Sequence, residues 1–306
     1  MSGGLVRSGD RKLRVEVTGD PDGTPVFLMH GTPGSRSGPR PRNIVLYRMG
    51  VRLISYDRPG YGESTRHPSR RVADAAGDVA AIADEYGLDS FAVVGRSGGG
   101  PHALACAALL PSRVTRAAVL VSTAPPDAAA LDWYGGMHEV NTADRGRDET
   151  SREYEEDIRR RVDQIQEDPE LLVRHLDGGL SLPDRRVIED LAVRRLLLSS
   201  YQEAFREGPY GWIDDTVALR RDWGFSLGAI GTRVRLWHGV ADGFAPISHT
   251  RWLASRLPNV ELDEDLAGGH FTALEILPEM LAWLIDSPAA SGRVSISTGS
   301  GRGFAE

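Results

Sequence analysis

The sequence predicts an α/β protein whose mostly parallel sheet carries helices on both faces. Short apolar segments bounded by turn residues alternate with longer segments whose apolar residues recur at helical spacing. Strands that alternate with helices are typical of right-handed crossover units, which bind ligands beyond the carboxyl ends of the strands. The 306 residues and the 41% content of hydrophobic residues suffice for a core of this class with one inserted segment.

The elements are expected in a regular order. A hairpin over 5–17 turns near Gly9 and Asp10, and the strands Pro25–Met29, Val51–Tyr56, Phe91–Val94 and Ala117–Val121 follow, with helices over 43–49, 71–86 and 98–110 between them. After an insertion come the strand Val234–Trp237, the helix Ile247–Leu257, the strand Val260–Leu262 and the helix Thr272–Ile285. The tail over 287–306 is rich in Ser, Gly and Ala, and we expect it to be disordered.

The insertion over 124–231 contains no strand-like segment and is expected to form several helices after the sixth strand. A charged helix is expected over 149–167, and apolar residues recur at helical spacing over 183–207. The insertion also concentrates aromatic residues and carries more Asp and Glu than Arg. We expect a helical cap whose aromatics partly line a pocket and whose carboxylates mostly lie on solvated helix faces.

Charge and composition narrow the range of partners. The formal net charge is −7 and no basic patch stands out, so no nucleic-acid partner is expected. No segment has the apolar length of a membrane span or of a signal peptide, and we expect a cytoplasmic protein with a small-molecule substrate. No residue spacing is typical of a metal site, no cofactor is expected, and Cys106 is expected to be a buried hydrophobe. The sequence makes no prediction of oligomeric state.

The segment Gly95–Gly99 carries the strongest functional signal. It follows the pattern G-x-S-x-G and lies between an apolar strand and an Ala/Leu-rich helix. A serine on such a turn adopts a strained backbone conformation, and the flanking glycines let neighbouring backbone come close. This geometry exposes the Ser97 hydroxyl above the sheet at the positive end of a helix, where an oxyanion can be stabilised.

Two later residues complete a nucleophile–base–acid set. Asp242 lies in the loop after the strand Val234–Trp237, and His270 lies on a glycine-rich loop before the last helix. A serine hydroxyl needs a neutral imidazole to accept its proton, and the imidazole needs a carboxylate on its other nitrogen. Asp127, just after the sixth strand, is the competing acid.

Five motifs stand in order along the chain: His30–Ser35, Tyr56–Ser64, Gly95–Gly100, His238–Asp242 and Gly268–His270. With these motifs, and with the order serine, aspartate, histidine, the chain resembles α/β-hydrolase fold proteins of the proline-iminopeptidase-like and esterase-like branch. The resemblance covers about residues 5–123 and 230–286. It implies an α/β-hydrolase core over 1–123 and 232–286 and a variable helical cap over 124–231.

The resemblance also implies hydrolysis through an acyl-enzyme, with an oxyanion hole made by the backbone N–H groups of Thr32 and Gly98. His30 is expected to brace the oxyanion loop, and Asp57 and Arg58 to form a structural ion pair behind the site. The candidate substrate contacts are Arg96, Trp212, Trp223 and Phe244. Related proteins often carry an aromatic residue, an apolar residue or a histidine at position 96, and Arg96 either engages a substrate carboxylate or carbonyl or pairs with an acid of the cap.

Three functions remain open. The favoured one is a serine hydrolase that cleaves an ester or related acyl bond of a small, largely apolar substrate. The second is an aminopeptidase of the proline iminopeptidase type, although Gly-Arg-Ser-Gly-Gly departs from the Gly-x-Ser-Trp-Gly typical there. The third is a lyase, a cyclase or a hydrolase of carbon–carbon bonds on the same fold. Serine at position 97 disfavours epoxide and haloalkane hydrolysis, which use a carboxylate nucleophile.

Overall fold

Eight strands form one sheet in the part of the chain that the structure describes. This computed structural model describes residues 2–142 and 145–286, and its strands are β1 (Ser2–Ser8), β2 (Arg11–Gly19), β3 (Thr24–Met29), β4 (Val51–Tyr56), β5 (Phe91–Arg96), β6 (Val114–Leu120), β7 (Arg233–Gly239) and β8 (Val260–Asp265). Their order across the sheet is β1-β2-β4-β3-β5-β6-β7-β8. β2 pairs antiparallel with β1 and β4, and all other neighbours are parallel, which confirms the predicted fold class. The tail expected to be disordered lies outside the described residues.

Helices cover both faces of the sheet and fill the segment between β6 and β7. They are α1 (Asn43–Arg48), α2 (Ala75–Glu85), α3 (Gly99–Leu109), α4 (Glu139–Thr142), α5 (Arg152–Glu167), α6 (Glu170–Asp177), α7 (Leu182–Glu189), α8 (Leu191–Ala204), α9 (Tyr210–Leu219), α10 (Ile247–Ala254) and α11 (Ala273–Ile285). The helical insertion predicted after the sixth strand thus contains α4 to α9. The bounds 124–231 for a separate cap stay a prediction.

Alternation along the central strands sorts their side chains onto two faces of the sheet. In β3, Phe27 and Met29 pack into the cluster that contains apolar residues of α2 and α3. Val26 and Leu28 point to the opposite face and pack with residues of α11. Successive residues of a strand face opposite sides of the sheet. A strand covered by helices on both sides therefore has a continuous apolar sequence. This is why the central strands stand out in the sequence.

The segment 183–207, where the sequence shows helical spacing, forms two helices, α7 and α8. Asp190 has an extended ψ of 119°, and its side chain accepts hydrogen bonds from the N–H groups of Ala192 (2.8 Å) and Val193 (3.0 Å). An aspartate in this position satisfies backbone donors that lack an intrahelical partner, so it starts the new helix α8. Apolar residues recur at helical spacing on both sides of Asp190, so the sequence pattern does not show where α7 ends and α8 begins.

Candidate active site

Ser97 occupies the sharp turn between β5 and α3 and has a φ of 53°. Its N–H donates to the carbonyl of Leu120 at 2.8 Å, which ties the turn to β6. The neighbouring glycines leave no room for a side chain: a Cβ on Gly95 would lie 2.2 Å from the Gly99 oxygen, and one on Gly99 would lie 2.3 Å from the Met29 oxygen. The glycines of the motif therefore permit close backbone contacts that hold the serine in its left-handed conformation.

The loop after β3 lies directly against this turn. A Cβ built on Gly98 would lie 3.2 Å from the backbone nitrogen of Thr32, and one on Gly31 would lie 3.6 Å from Cβ of Ser97. The backbone at Thr32 and Gly98 is thus adjacent, beside the serine. Gly98 lies at the start of α3 and Thr32 in the loop after β3, and two adjacent backbone N–H groups of this kind can stabilise an oxyanion.

His270 and Asp242 are in direct contact. His270 Nδ1 lies 2.7 Å from Asp242 Oδ2, and the other carboxylate oxygen accepts the N–H groups of Phe244 (2.7 Å) and Ala245 (2.9 Å). Burial alone would raise the pKa of Asp242, but His270 and His238 hold it below its usual value, so the carboxylate is ionised. The competing acid Asp127 is exposed and makes no such contact with His270.

Ser97 and His270 face one cavity of about 340 Å³ between the sheet and the helical insertion. Thr32 and Gly98 also line it. Its apolar lining includes Trp133, Ile165, Leu172, Leu176, Trp212, Leu219, Phe244 and Phe271. In the described part of the chain, no direct hydrogen bond joins the side chains of Ser97 and His270. Such contacts are often loose in enzymes without substrate and tighten in the complex.

Three of the four candidate substrate contacts line this cavity: Arg96, Trp212 and Phe244. The expectation for Trp223 is corrected by the structure. Its side chain is 3% exposed, stacks on Phe225 at 6.0 Å between ring centroids, and belongs to the core cluster next to α2 and α3. After α9 the chain returns to the core, where the backbone oxygen of Trp223 accepts the N–H of Ala73 at 2.9 Å. This aromatic residue therefore packs the fold and does not face the cavity.

A buried charge cluster lies behind the oxyanion loop. The carboxylate of Asp215, on α9, contacts the guanidinium groups of Arg58 and Arg70, and both arginines are nearly inaccessible. It also accepts hydrogen bonds from the hydroxyl groups of Thr32 (2.7 Å) and Tyr61 (3.0 Å). Burial alone would raise the pKa of Asp215, but the two arginines hold it well below the usual value.

Arg58 connects this cluster to the backbone of the loop. Its guanidinium donates to the carbonyl oxygens of His30 and Gly31, and its backbone N–H donates to His30 Nε2 at 3.2 Å. Burial and the charge of Arg58 lower the pKa of His30 well below its usual value, so the ring is neutral. The predicted Asp57–Arg58 ion pair is wrong, because each finds a separate counter-charge: Asp57 pairs with Arg36, and Arg58 pairs with Asp215.

A second carboxylate of the insertion holds the histidine loop. Asp184, on α7, is fully buried and accepts the backbone N–H groups of His270 (3.1 Å) and Phe271 (2.6 Å). Sequence analysis placed most acids of the insertion on solvated faces and missed the roles of Asp184 and Asp215. One signal was present: Asp214 and Asp215 interrupt the otherwise apolar segment Tyr210–Leu219, which is unusual unless the acids are paired.

Both the sequence and the fold of this chain are similar to those of known proteins. Residues 24–153 match the family model described as alpha/beta hydrolase fold. The structure also superposes on a bromoperoxidase from Bacillus anthracis with a TM-score of 0.68, covering 94% of this chain and 100% of that one at 21% identity. The chain therefore has the α/β-hydrolase fold. That likeness of structure shows the fold and carries no statement about the reaction.

The curated relatives that this chain matches are named for diverse activities. Epoxide hydrolase B of Mycobacterium tuberculosis is 35% identical over 97 residues, which are 31% of this chain and 27% of the relative. A bifunctional esterase/perhydrolase of Acinetobacter calcoaceticus is 32% identical over 112 residues, 35% of this chain and 40% of the relative. Other relatives are named non-heme chloroperoxidase and proline iminopeptidase. The matched part of the chain spans less than half the length of these relatives.

Two kinds of feature are absent from the described part of the chain. Within residues 2–142 and 145–286, no three His, Cys, Asp or Glu side chains are grouped so that they could hold a metal ion. None of the helices described above combines the length and the apolar character needed to cross a membrane.

Proposed function

We propose that this α/β-hydrolase is a serine hydrolase that cleaves an ester or related acyl bond of a small substrate. Ser97 is the nucleophile, His270 the base and Asp242 the orienting acid, and the N–H groups of Thr32 and Gly98 receive the oxyanion. The observation that carries the proposal is the contact of His270 Nδ1 with the buried Asp242, in a cavity that Ser97 also lines. This contact leaves the other ring nitrogen of His270 available to accept a proton.

The proposed reaction has two stages. Ser97 Oγ bonds to the acyl carbon while its proton passes to His270 Nε2, and the tetrahedral oxyanion accepts hydrogen bonds from the two backbone donors. The bond to the leaving oxygen then breaks, and His270 returns the proton to that oxygen. A water molecule attacks the acyl-enzyme through the same base, which releases the acid and restores the serine hydroxyl.

The cavity favours the esterase among the possible functions. An aminopeptidase must pair the positive amino terminus of its substrate, yet none of the described residues that line the cavity is Asp or Glu. Epoxide hydrolysis of the type that uses a carboxylate nucleophile is disfavoured because position 97 is serine. The apolar walls suit the hydrocarbon part of an acyl group or an alcohol.

Active-site labelling tests the mechanism. We expect a fluorophosphonate probe to label the protein once, at Ser97, because the histidine activates that hydroxyl. Ser97→Ala should abolish labelling and lower kcat by about 10³-fold or more. Ser122→Ala, which changes a neighbouring serine outside the cavity lining, is the matched control and should keep the label. Equal ester turnover by the wild type and Ser97→Ala would contradict the proposed mechanism.

A further inference from the structure

The lining of the cavity carries positive charge although the chain as a whole is negative. The formal net charge is −7. Among the described residues that line the cavity, the side chains with a permanent charge are Arg96, Arg161 and Arg220, all positive. A cleft with charges of one sign and walls of low dielectric constant attracts ligands of the opposite sign. This lining favours an anionic ligand.

Arg96 differs from the other two arginines because it lacks a carboxylate partner. Arg161 pairs with Asp157 at 2.9 Å, and Arg220 pairs with Glu149. Arg96 makes no ion pair within residues 2–142 and 145–286, and the titratable group that acts on it is the phenol of Tyr201. Burial raises the pKa of Tyr201 to about 12, although Arg96 opposes this, so the phenol is neutral at physiological pH. The charge of Arg96 is therefore uncompensated.

An uncompensated charge out of bulk water is costly, and a ligand of opposite charge removes that cost. Burial lowers the pKa of Arg96, yet a guanidinium stays charged at neutral pH. Its planar array of donors matches a carboxylate, which accepts two parallel hydrogen bonds. A single uncompensated positive charge corresponds to a ligand with a single negative charge.

The position of Arg96 relates this charge to the reaction. Arg96 precedes Ser97 directly, so their Cα atoms are about 3.8 Å apart. Both residues line the same cavity, so one small molecule can place a carboxylate at Arg96 and a carbonyl at Ser97. Tyr201 also lines the cavity, and its phenol is near enough to influence the pKa of Arg96.

We propose that the substrate carries a carboxylate that Arg96 binds while Ser97 attacks the ester carbonyl. Arg96 is then the residue that selects anionic acyl substrates. This inference rests on the proposed hydrolase function and makes it more specific. The substrate it describes is an apolar chain that carries one ester and one carboxylate.

Two matched esters test the inference. In p-nitrophenyl hydrogen adipate a carboxylate replaces the terminal methyl group of p-nitrophenyl hexanoate, so the two substrates differ in charge at equal chain length. The wild type should prefer the adipate ester in kcat/KM after spontaneous hydrolysis is subtracted. Arg96→Met should lower the adipate-to-hexanoate ratio by about tenfold or more, which is the usual effect of one charge-assisted hydrogen-bond pair.

Two further variants sharpen the comparison. Arg161→Met removes a cavity arginine that is already paired with Asp157, so the ratio should change by less than about threefold. Arg96→Lys keeps the charge but not the planar donors, and it should keep part of the preference. If Arg96→Met does not fold, the adipate-to-hexanoate ratio of Arg96→Lys still tests the inference.

These measurements distinguish a failure of the carboxylate site at Arg96 from a failure of the proposed hydrolase function. If Ser97 is labelled and both esters are cleaved, but the ratio does not depend on Arg96, the inference is overturned and the hydrolase stands. If there is neither labelling nor turnover, the proposed function fails. Calorimetry with adipate then decides the carboxylate site: binding about tenfold tighter to the wild type than to Arg96→Met supports it, and equal binding overturns it.

Discussion

At the scale of single residues, the backbone around Ser97 explains why the site could be located from sequence. The strained turn needs glycine at positions 95 and 99, and both glycines are imposed by contacts shorter than 2.5 Å to any added Cβ. Because steric exclusion requires these two glycines, the motif can be recognised from the amino-acid sequence alone. Trp223 is the opposite case, because an aromatic residue in the insertion suits the cavity and the core equally well until its contacts are seen.

The acid assignment can be tested with two aspartates. Asp242→Asn should lower kcat by about 10³–10⁴-fold, because an amide favours the wrong tautomer of His270. Asp127→Asn is the matched control, since Asp127 is exposed and the carboxylate on His270 is that of Asp242, and the kcat of this variant should stay within about twofold of the wild type. A mild effect at Asp242 together with a severe one at Asp127 would reverse the assignment.

Trp212 is expected to set the preferred length of the acyl chain. Each added methylene should improve kcat/KM of p-nitrophenyl esters by about fourfold until the cavity is full, because a buried CH₂ contributes about 0.8 kcal/mol. Trp212→Ala enlarges the cavity and should move the optimum to longer esters. Trp223→Ala removes a core side chain instead, so it should lower the free energy of unfolding by about 3 kcal/mol or more without moving the optimum. An unchanged optimum in Trp212→Ala would remove Trp212 from the substrate pocket.

At the scale of elements, the helices between β6 and β7 hold the two loops that the chemistry needs. Asp184 on α7 binds backbone N–H groups of the histidine loop, and Asp215 on α9 binds Thr32 and Arg58 of the oxyanion region. The positions of strands and helices follow from local patterns, which is why most of them could be predicted. These two contacts join residues more than 80 positions apart, so no local pattern contains them.

Asp215 is therefore a positioning residue, and its neighbour on α9 provides the control. Asp215→Asn leaves Arg58 and Arg70 buried without their counter-charge, which should cost about 3–5 kcal/mol in the free energy of unfolding. The oxyanion loop loses its support, so kcat should fall by about tenfold or more while KM changes little. Asp214→Asn affects only the partly exposed pair with Arg66, and it should cost about 1 kcal/mol or less and spare kcat.

A gentler variant isolates the effect on the loop. Thr32→Val removes the hydroxyl that donates to Asp215 and accepts from Arg58, but it keeps the ion pairs and the side-chain shape. If Asp215 acts by placing the loop, Thr32→Val should also lower kcat more than it raises KM. A loss of stability with kcat intact in both variants would assign Asp215 a purely structural role.

At the scale of the whole molecule, buried histidines make the fold sensitive to acid. Burial lowers the pKa of His102 to about 3, with Arg58 adding to the effect, and burial lowers the pKa of His249 to about 4. His249 Nδ1 accepts the N–H of Ala124 at 3.0 Å, which a protonated ring cannot do, while Nε2 lies 2.9 Å from the Trp133 oxygen. The fold therefore requires neutral rings at these positions.

The sign of the pH dependence follows from these shifts. In the unfolded chain a histidine takes up its proton near pH 6.5, but in the folded protein these two stay neutral until about pH 4 or below, so acidification between these values favours unfolding. Each of these two histidines should lower the free energy of unfolding by about 2 kcal/mol between pH 7.5 and pH 5. Burial raises the pKa of Asp57 to about 6, although Arg36 opposes this shift. Asp57 therefore takes up a proton in the folded protein over the same pH range, which raises the free energy of unfolding by about 1 kcal/mol.

We therefore expect the free energy of unfolding, measured with urea, to fall by at least about 2 kcal/mol from pH 7.5 to pH 5, because His30, whose pKa burial and Arg58 hold well below its usual value, adds to the effect of His102 and His249. His249→Gln should be less stable than the wild type at pH 7.5, because glutamine fits the two bonds of the ring less well. It cannot be protonated, however, so it should lose about 2 kcal/mol less over the same pH range. An equal loss in the variant would show that His249 is not the group that responds to acid, and stability independent of pH would contradict neutral burial of both histidines.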